Sequence, residues 1–247
     1  MDFFEDLIAE RLGGKLFGKS TEIYKFEKIK RAKAEATSKY PDIQIIDMGV
    51  GEPDIPADSG VVNKLAEEAG KPENRWYSDN GILEFQEAAA KYLEKVYQLS
   101  NIDPQKNIIH GIGSKPVLAI LPICLINPGD ITLATTPGYG VTSTYTRYLG
   151  GDVYNLPLAK ENSFFPDFTT IPDDILQRAK ILYINYPNNP TGQVATKSFF
   201  SSVVAFAKKN RIAVIHDAAY AAVTFDGYQP LSFLSIDGAK DVGIEVH

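Results

Sequence analysis

Ile181-Leu182-Tyr183-Ile184-Asn185-Tyr186-Pro187-Asn188-Asn189-Pro190-Thr191-Gly192 opens the stretch that decides the fold, and Ile212-Ala213-Val214-Ile215-His216-Asp217-Ala218-Ala219-Tyr220 closes it. Each piece begins as a short apolar run of strand length and ends in a polar loop. Between them, residues 196–209 carry a helical pattern. Two buried strands joined by a crossover helix pair in parallel, as a right-handed βαβ unit. In open sheets of this kind ligands sit beyond the carboxyl ends of the strands. Asn189 and Asp217 are therefore expected side by side on one rim.

Outward from this unit the rhythm continues. Strands are expected at 107–110, 131–134, 152–156 and 241–247, with helices at 115–126, 141–149 and 173–179 between them. Such alternation predicts an α/β fold with three layers, α/β/α, around a mainly parallel doubly wound sheet. Upstream lie helices at 61–69 and 82–98, a strand at 43–48, and a polar loop at 74–81 that shows Trp76 and Tyr77. Exposed aromatics in such a loop suggest a subunit or ligand contact. Residues 1–40 read as an N-terminal arm with a basic helix at 27–39. Tyr24 and Phe26 could be buried there on a partner, or the helix could simply be solvated. Residues 41–247 read as one large domain.

Composition narrows the class. The 247 residues carry a net charge of −6, which gives no electrostatic footprint for nucleic acid. Cys124 is alone, so no internal disulfide forms and a reducing compartment is expected. The charged N-terminus has no apolar core of a signal peptide. The longest apolar run, 117–126, is too short to span a bilayer and contains Pro122. A cytoplasmic protein is expected.

Three loops on the strand-end rim carry candidate chemistry. Gly111-Ile112-Gly113-Ser114-Lys115 joins a strand to a helix start, where glycines, free N–H groups and a lysine charge make a phosphate cradle. Its spacing fits neither the P-loop nor the dinucleotide fingerprint, and a plain structural turn is the competing reading. Thr135-Thr136-Pro137-Gly138-Tyr139-Gly140 could present the Tyr139 ring to a flat ligand, or simply pack it on its own helix. Asp217, at the end of a buried strand, must be paired or hydrogen-bonded. It either caps the next turn or holds a buried cation such as a protonated ring nitrogen.

Taken together, Asn188-Asn189-Pro190-Thr191-Gly192, Asp217-Ala218-Ala219-Tyr220, Gly113-Ser114-Lys115 and Pro137-Gly138-Tyr139 resemble the class I and II aminotransferases, in order and spacing, across essentially the whole chain. These are fold type I enzymes that use pyridoxal 5′-phosphate (PLP). The stretches 23–29 and Met48-Gly49-Val50-Gly51-Glu52-Pro53 look most like the LL-diaminopimelate aminotransferases. The resemblance implies that Asp217 pairs with the pyridinium nitrogen, raising its pKa so that the ring serves as an electron sink. Asn189 and Tyr220 would bond the phenolate oxygen, and Tyr139 would stack on the ring. Gly113, Ser114 and Lys115 would hold the phosphate, joined by Tyr77 from the other subunit of a homodimer. Gly51 and Asn189 would lie by the substrate, an amino acid or a 2-oxo acid. The N-terminal segment would lend part of the small domain.

One departure matters. The family's Schiff-base lysine follows the strand that ends here at His247, and Lys240 precedes that strand as a turn lysine. The resemblance therefore implies a chain that stops short of its catalytic lysine and of the C-terminal small domain, inactive on its own. It also implies open strand edges at 107–110 and 241–247 and a tendency to aggregate. A non-catalytic relic with a phosphate and ring site, or a PLP-dependent lyase on the same fold, are the other readings.

Overall fold

The computed structural model describes residues 3–19, 25–49, 51, 53–78 and 81–247. They form two units, Met1–Ser78 and Asp79–His247. The first holds short 3-10 turns at Glu5–Leu7, Glu10–Leu12 and Gly14–Leu16, then helices α1 (Lys25–Lys39) and α2 (Ser59–Ala69), and a last 3-10 turn at Pro72–Arg75. Asp58 starts α2 by accepting the Gly60 amide at 2.8 Å, which satisfies one of the free donors of a helix start. The strand expected at 43–48 does not form. The run is apolar enough for a strand, but a strand needs a neighbour, and Ile43, Ile46 and Met48 stay exposed. Asp47 instead closes a turn, accepting from the Gly49 amide (2.9 Å) and pairing with Lys33 (2.8 Å). The partner contacts expected of Tyr24 and Phe26, and positions 50, 52, 79 and 80 of the two candidate loops, lie outside the described residues and side chains.

The second unit carries the sheet. Helices α3 (Leu83–Tyr97), α4 (Pro104–Asn107) and α5 (Ser114–Leu125) precede β1 (Ile131–Thr136), α6 (Val141–Tyr148) and β2 (Asp152–Pro157). Then come α7 (Asp173–Arg178), β3 (Ala179–Asn185), α8 (Lys197–Asn210), β4 (Ala213–Asp217) and β5 (Gly243–Val246). The strand order is β2-β1-β3-β4-β5, and every neighbouring pair is parallel. The expected doubly wound sheet is therefore present. After β2 the chain crosses back over β1 to lay down β3, so winding reverses between β1 and β3. That is where such sheets open a crevice at their carboxyl ends.

Alternation along the strands builds the three layers. Leu182, Ile184 and Val214 face α8, whose Phe199, Phe200, Val203, Val204 and Ala207 repeat at helical spacing and are buried with them. Ile181, Tyr183 and Ile215 face the other way, against Leu118 of α5 with Val141 of α6 beside them. Each such side chain fully buried stabilises the fold by about 1.5–3 kcal/mol. On this second face Thr132 and Thr146 share a buried hydroxyl bond of 2.8 Å, which ties α6 to β1.

Two expected elements change. The strand expected at 107–110 is replaced by the end of α4 and an extended segment. Asp103 caps α4 through Gln105 and Lys106, and Asn107 Oδ1 returns a bond to the Asp103 amide (2.9 Å). The Ile108 carbonyl is taken by the Gln86 side chain at 3.0 Å rather than by a strand. The last strand is shorter than 241–247, because Ala239–Asp241 turns as 3-10 after Gly238, and Lys208 holds Asp241 at 2.8 Å.

Candidate active site

β4 ends in His216 and Asp217, and strand alternation sends them to opposite faces. Asp217 turns toward the α5–α6 layer. The residue is 3% exposed, and Tyr183 of β3 donates to Oδ2 at 2.9 Å while the Ala219 amide reaches Oδ1 at 3.2 Å. Both donors are neutral, and no ion pair among the described residues reaches this carboxylate. Burial, and then the Asp217 charge, push the Tyr183 hydroxyl far above its ordinary value, so it remains a neutral donor. A buried carboxylate without a cation is costly. It is an arrangement ready for a cationic ligand.

β3 also sets the neighbouring loop. Asn185, fully buried, donates to the Asp217 carbonyl at 2.8 Å and accepts the Asn189 amide at 2.8 Å. One side chain thereby places both candidate residues of the rim. Asn188 folds the same loop back, accepting from the Thr191 hydroxyl at 2.9 Å while its amide meets the Gln193 carbonyl at 2.8 Å. Asn189 Nδ2 then donates to the Tyr220 hydroxyl at 3.0 Å. With its oxygen accepting from Asn189, the Tyr220 hydroxyl keeps its own hydrogen for a further acceptor.

At the end of β1, Gly138 lies so close to the Thr135 carbonyl that an added Cβ would sit 2.4 Å from it. Only glycine permits this turn, and it delivers Tyr139, half-buried, against the cluster of Tyr183, Leu118 and Ile215. Gly113 stands at φ +79° before α5, a conformation that side chains resist. It supplies no side-chain cap, so the first N–H groups of α5 are open, with Ser114 half-buried and Lys115 exposed beside them. Asp217, Asn189, Tyr220 and Tyr139 thus converge, and the Gly113-Ser114-Lys115 start belongs to the helix packed on the same face. Tyr77 and Gly51 belong to the first unit, where both are exposed, and Arg75 stacks on Trp76 next to Tyr77. Lys240 is held in the 3-10 turn before β5, donating to the Ser100 (2.7 Å) and Asn101 (3.3 Å) carbonyls.

The other face of β4 holds a network that the sequence reading missed. His216 Nδ1 meets Glu245 Oε2 at 2.8 Å and its Nε2 meets the Tyr186 carbonyl at 3.0 Å. Ser232 and the Phe233 amide both donate to Glu245 at 2.6 Å, and His247 adds a 2.8 Å contact. Burial works to raise the Glu245 carboxyl, but hydrogen bonds and charge from His216 and His247 override it and hold it well below the usual range. Tyr183 and Asn185 were also missed. The available signal was two polar side chains at alternate positions of an otherwise apolar run, on the face that Asp217 shares.

This sheet, with its acid at the end of β4 and its open helix start on one face, has the architecture of the large domain of PLP-dependent transferases. Residues 43–242 match the family model for aminotransferase class I and II, and the chain belongs to that family. It is 58% identical over 245 residues to the LL-diaminopimelate aminotransferase of Methanocaldococcus jannaschii, spanning 99% of this chain and 58% of that protein. The LL-diaminopimelate aminotransferase of Methanococcus maripaludis is 54% identical over 245 residues, covering 99% of this chain and 59% of that protein. Among solved structures, substrate-bound BacF from Bacillus subtilis superposes with a TM-score of 0.84 at 35% identity, covering 92% of this chain and 57% of that one. A probable N-succinyldiaminopimelate aminotransferase from Thermus thermophilus gives 0.81 at 30%, covering 89% and 58%. The chain thus spans a little over half the length of the relatives it matches. The family's cofactor is PLP, and the donor set here fits it, with an unpaired buried carboxylate for a ring cation and an uncapped helix start with a lysine for a phosphate. Among the described residues no group of side chains fits a metal ion, and no helix is long and apolar enough to cross a membrane.

Proposed function

We propose that this chain is the cofactor-binding part of an aminotransferase that moves an amino group between an amino acid, LL-diaminopimelate or glutamate, and a 2-oxo acid. The observation that carries the reading is the Asp217 carboxylate, buried at the strand ends with neutral donors only and flanked by the Asn189–Tyr220 pair. Bound PLP supplies an electron sink for charge developing at the substrate α-carbon. Asp217 holds the proton on the ring nitrogen, since a carboxylate beside a cation favours the charged form. Asn189 and Tyr220 donate to the phenolate oxygen, and Tyr139 covers the ring face. Gly113, Ser114 and Lys115, with the α5 amides, neutralise the phosphate. In this reading Tyr77 reaches that phosphate from the second subunit of a homodimer, and Gly51 lies by the substrate carboxylate with Asn189. Residues 1–40 act as an arm, residues 41–247 as the large domain with part of the small domain from the N-terminal segment, and the protein works in the cytoplasm. These 247 residues bind and polarise the cofactor without supplying the proton shuttle, so they are inactive alone.

The test uses the 247-residue chain with pyridoxamine 5′-phosphate, which needs no lysine to bind, and a glutamate-formation assay with LL-diaminopimelate and 2-oxoglutarate. The expected result is saturable binding without turnover. Absence of binding would sink the reading. Turnover would overturn the inactivity, and Lys115 would then be the lysine to examine first.

A further inference from the structure

Tyr183 is a tyrosine where an apolar residue would pack as well. The residue is 1% exposed in the cluster of Leu118, Ile181, Ile215 and Val246, and neighbouring positions of β3 are isoleucine and leucine. Placing a hydroxyl there is unfavourable unless it is bonded, and its partner is the Asp217 Oδ2 atom at 2.9 Å. A carboxylate has about four acceptor directions. Tyr183 occupies one on Oδ2 and the Ala219 amide one on Oδ1. The carboxyl plane is thereby fixed from its two sides, and acceptor capacity remains for a third donor.

We infer that Tyr183 is a positioning residue for the proposed reaction: by anchoring Oδ2 it holds the Asp217 carboxylate in the orientation that accepts a ring N–H. This inference rests on the proposed cofactor site and adds a residue to it. Hydrogen bonds to charged groups are the strong ones, so the effect falls on the protonated form of the ring. An unprotonated ring gains nothing from the carboxylate. Losing the anchor therefore weakens binding of the protonated ring and, by linkage, lowers the pH at which the bound ring gives up its proton.

Tyr186 supplies the control. It is equally buried (2% exposed), it donates a single bond of 2.9 Å to the Phe164 carbonyl, and it packs on the opposite face among Phe165, Phe199 and Phe200. Tyr186→Phe thus removes a comparable buried hydroxyl that does not touch Asp217.

The experiment titrates the 247-residue chain with pyridoxamine 5′-phosphate labelled with nitrogen-15 in the ring. It reads affinity and the ring-nitrogen chemical shift across pH. For Tyr183→Phe the expected result is about a tenfold loss of affinity where the ring is protonated, and a deprotonation midpoint about one pH unit below that of the unaltered chain. Tyr186→Phe is expected to leave the midpoint unchanged. An unchanged midpoint in Tyr183→Phe overturns the inference while leaving the cofactor site standing. Equal shifts in both variants assign the effect to general loosening and overturn it as well. No binding by the unaltered chain removes the cofactor reading, and this inference with it.

Discussion

His216 and Asp217 are adjacent on β4 and equally withdrawn from water, yet they meet opposite surroundings. His216 is closed in, because each ring nitrogen has an oxygen partner and Glu245 is filled by His216, His247, Ser232 and the Phe233 amide. Asp217 is held by a tyrosine and one amide, with no cation among the described residues. The first network meets its carboxylate with hydrogen bonds from within the chain and joins β4, β5 and the loop after β3. The second has two neutral donors and no cation among the described residues, which is the opening that the proposed cofactor site uses. A buried charge alone therefore says little about function, and what matters is whether its partners complete it.

The largest expected effect comes from breaking the closed side. Glu245→Gln removes one member of a buried pair and strands His216, which should lower the unfolding free energy by about 3 kcal/mol or more. Urea unfolding followed by circular dichroism measures it. The same carboxyl sets a direction with pH. Its folded form titrates below its ordinary value of 4.5, so its stabilisation is present above that pH and is lost as pH falls below it. Melting curves should show an acid-side decline that Glu245→Gln lacks in part. An unaltered acid profile would remove Glu245 as its source.

Asp217→Asn is the matching change on the open side. It keeps an acceptor for Tyr183 while deleting the charge, so stability should move by less than about 1 kcal/mol. Affinity for pyridoxamine 5′-phosphate should drop by roughly thirtyfold, or about 2 kcal/mol. A large stability loss with intact affinity would reverse the comparison. His216→Ala is a poor control for it, since that change opens the closed network. The smallest effect is expected from Tyr186→Phe, about 1 kcal/mol of stability for one buried hydrogen bond, with ligand affinity unchanged in the same titration.

Much of the sheet was legible in the amino-acid sequence, for definable reasons, while the contrast across β4 was not. The apolar runs around Leu182 and Val214, with helical spacing between them, specify parallel strands and a crossover, because periodicity reports which face is buried. The rim residues were legible because loops at strand ends follow from that topology. Residues 43–48 misled because their apolar content is a local signal while strand pairing is not. Residues 107–110 misled because the Asp103-Pro104 helix start outweighed the apolar Ile108-Ile109 pair. The Glu245 network was illegible for a different reason. Its members come from β4, β5 and the turn at 232–233, and only the parallel register that sets His216 beside Glu245 brings them together.

The crossing from β2 back to β3 has a consequence for how the protein reaches its native state. Ile131 pairs with Ala179, and Asn185 pairs with Asp217, so the rim closes only after distant segments have found their register. Non-local pairing of this sort is slow, because the chain entropy is lost before the contacts form. A molecule that binds the finished rim has no counterpart site in a half-wound chain, and it shifts the population toward completion by mass action. Supplying such a ligand during refolding should raise the recovered yield of sheet-destabilised variants.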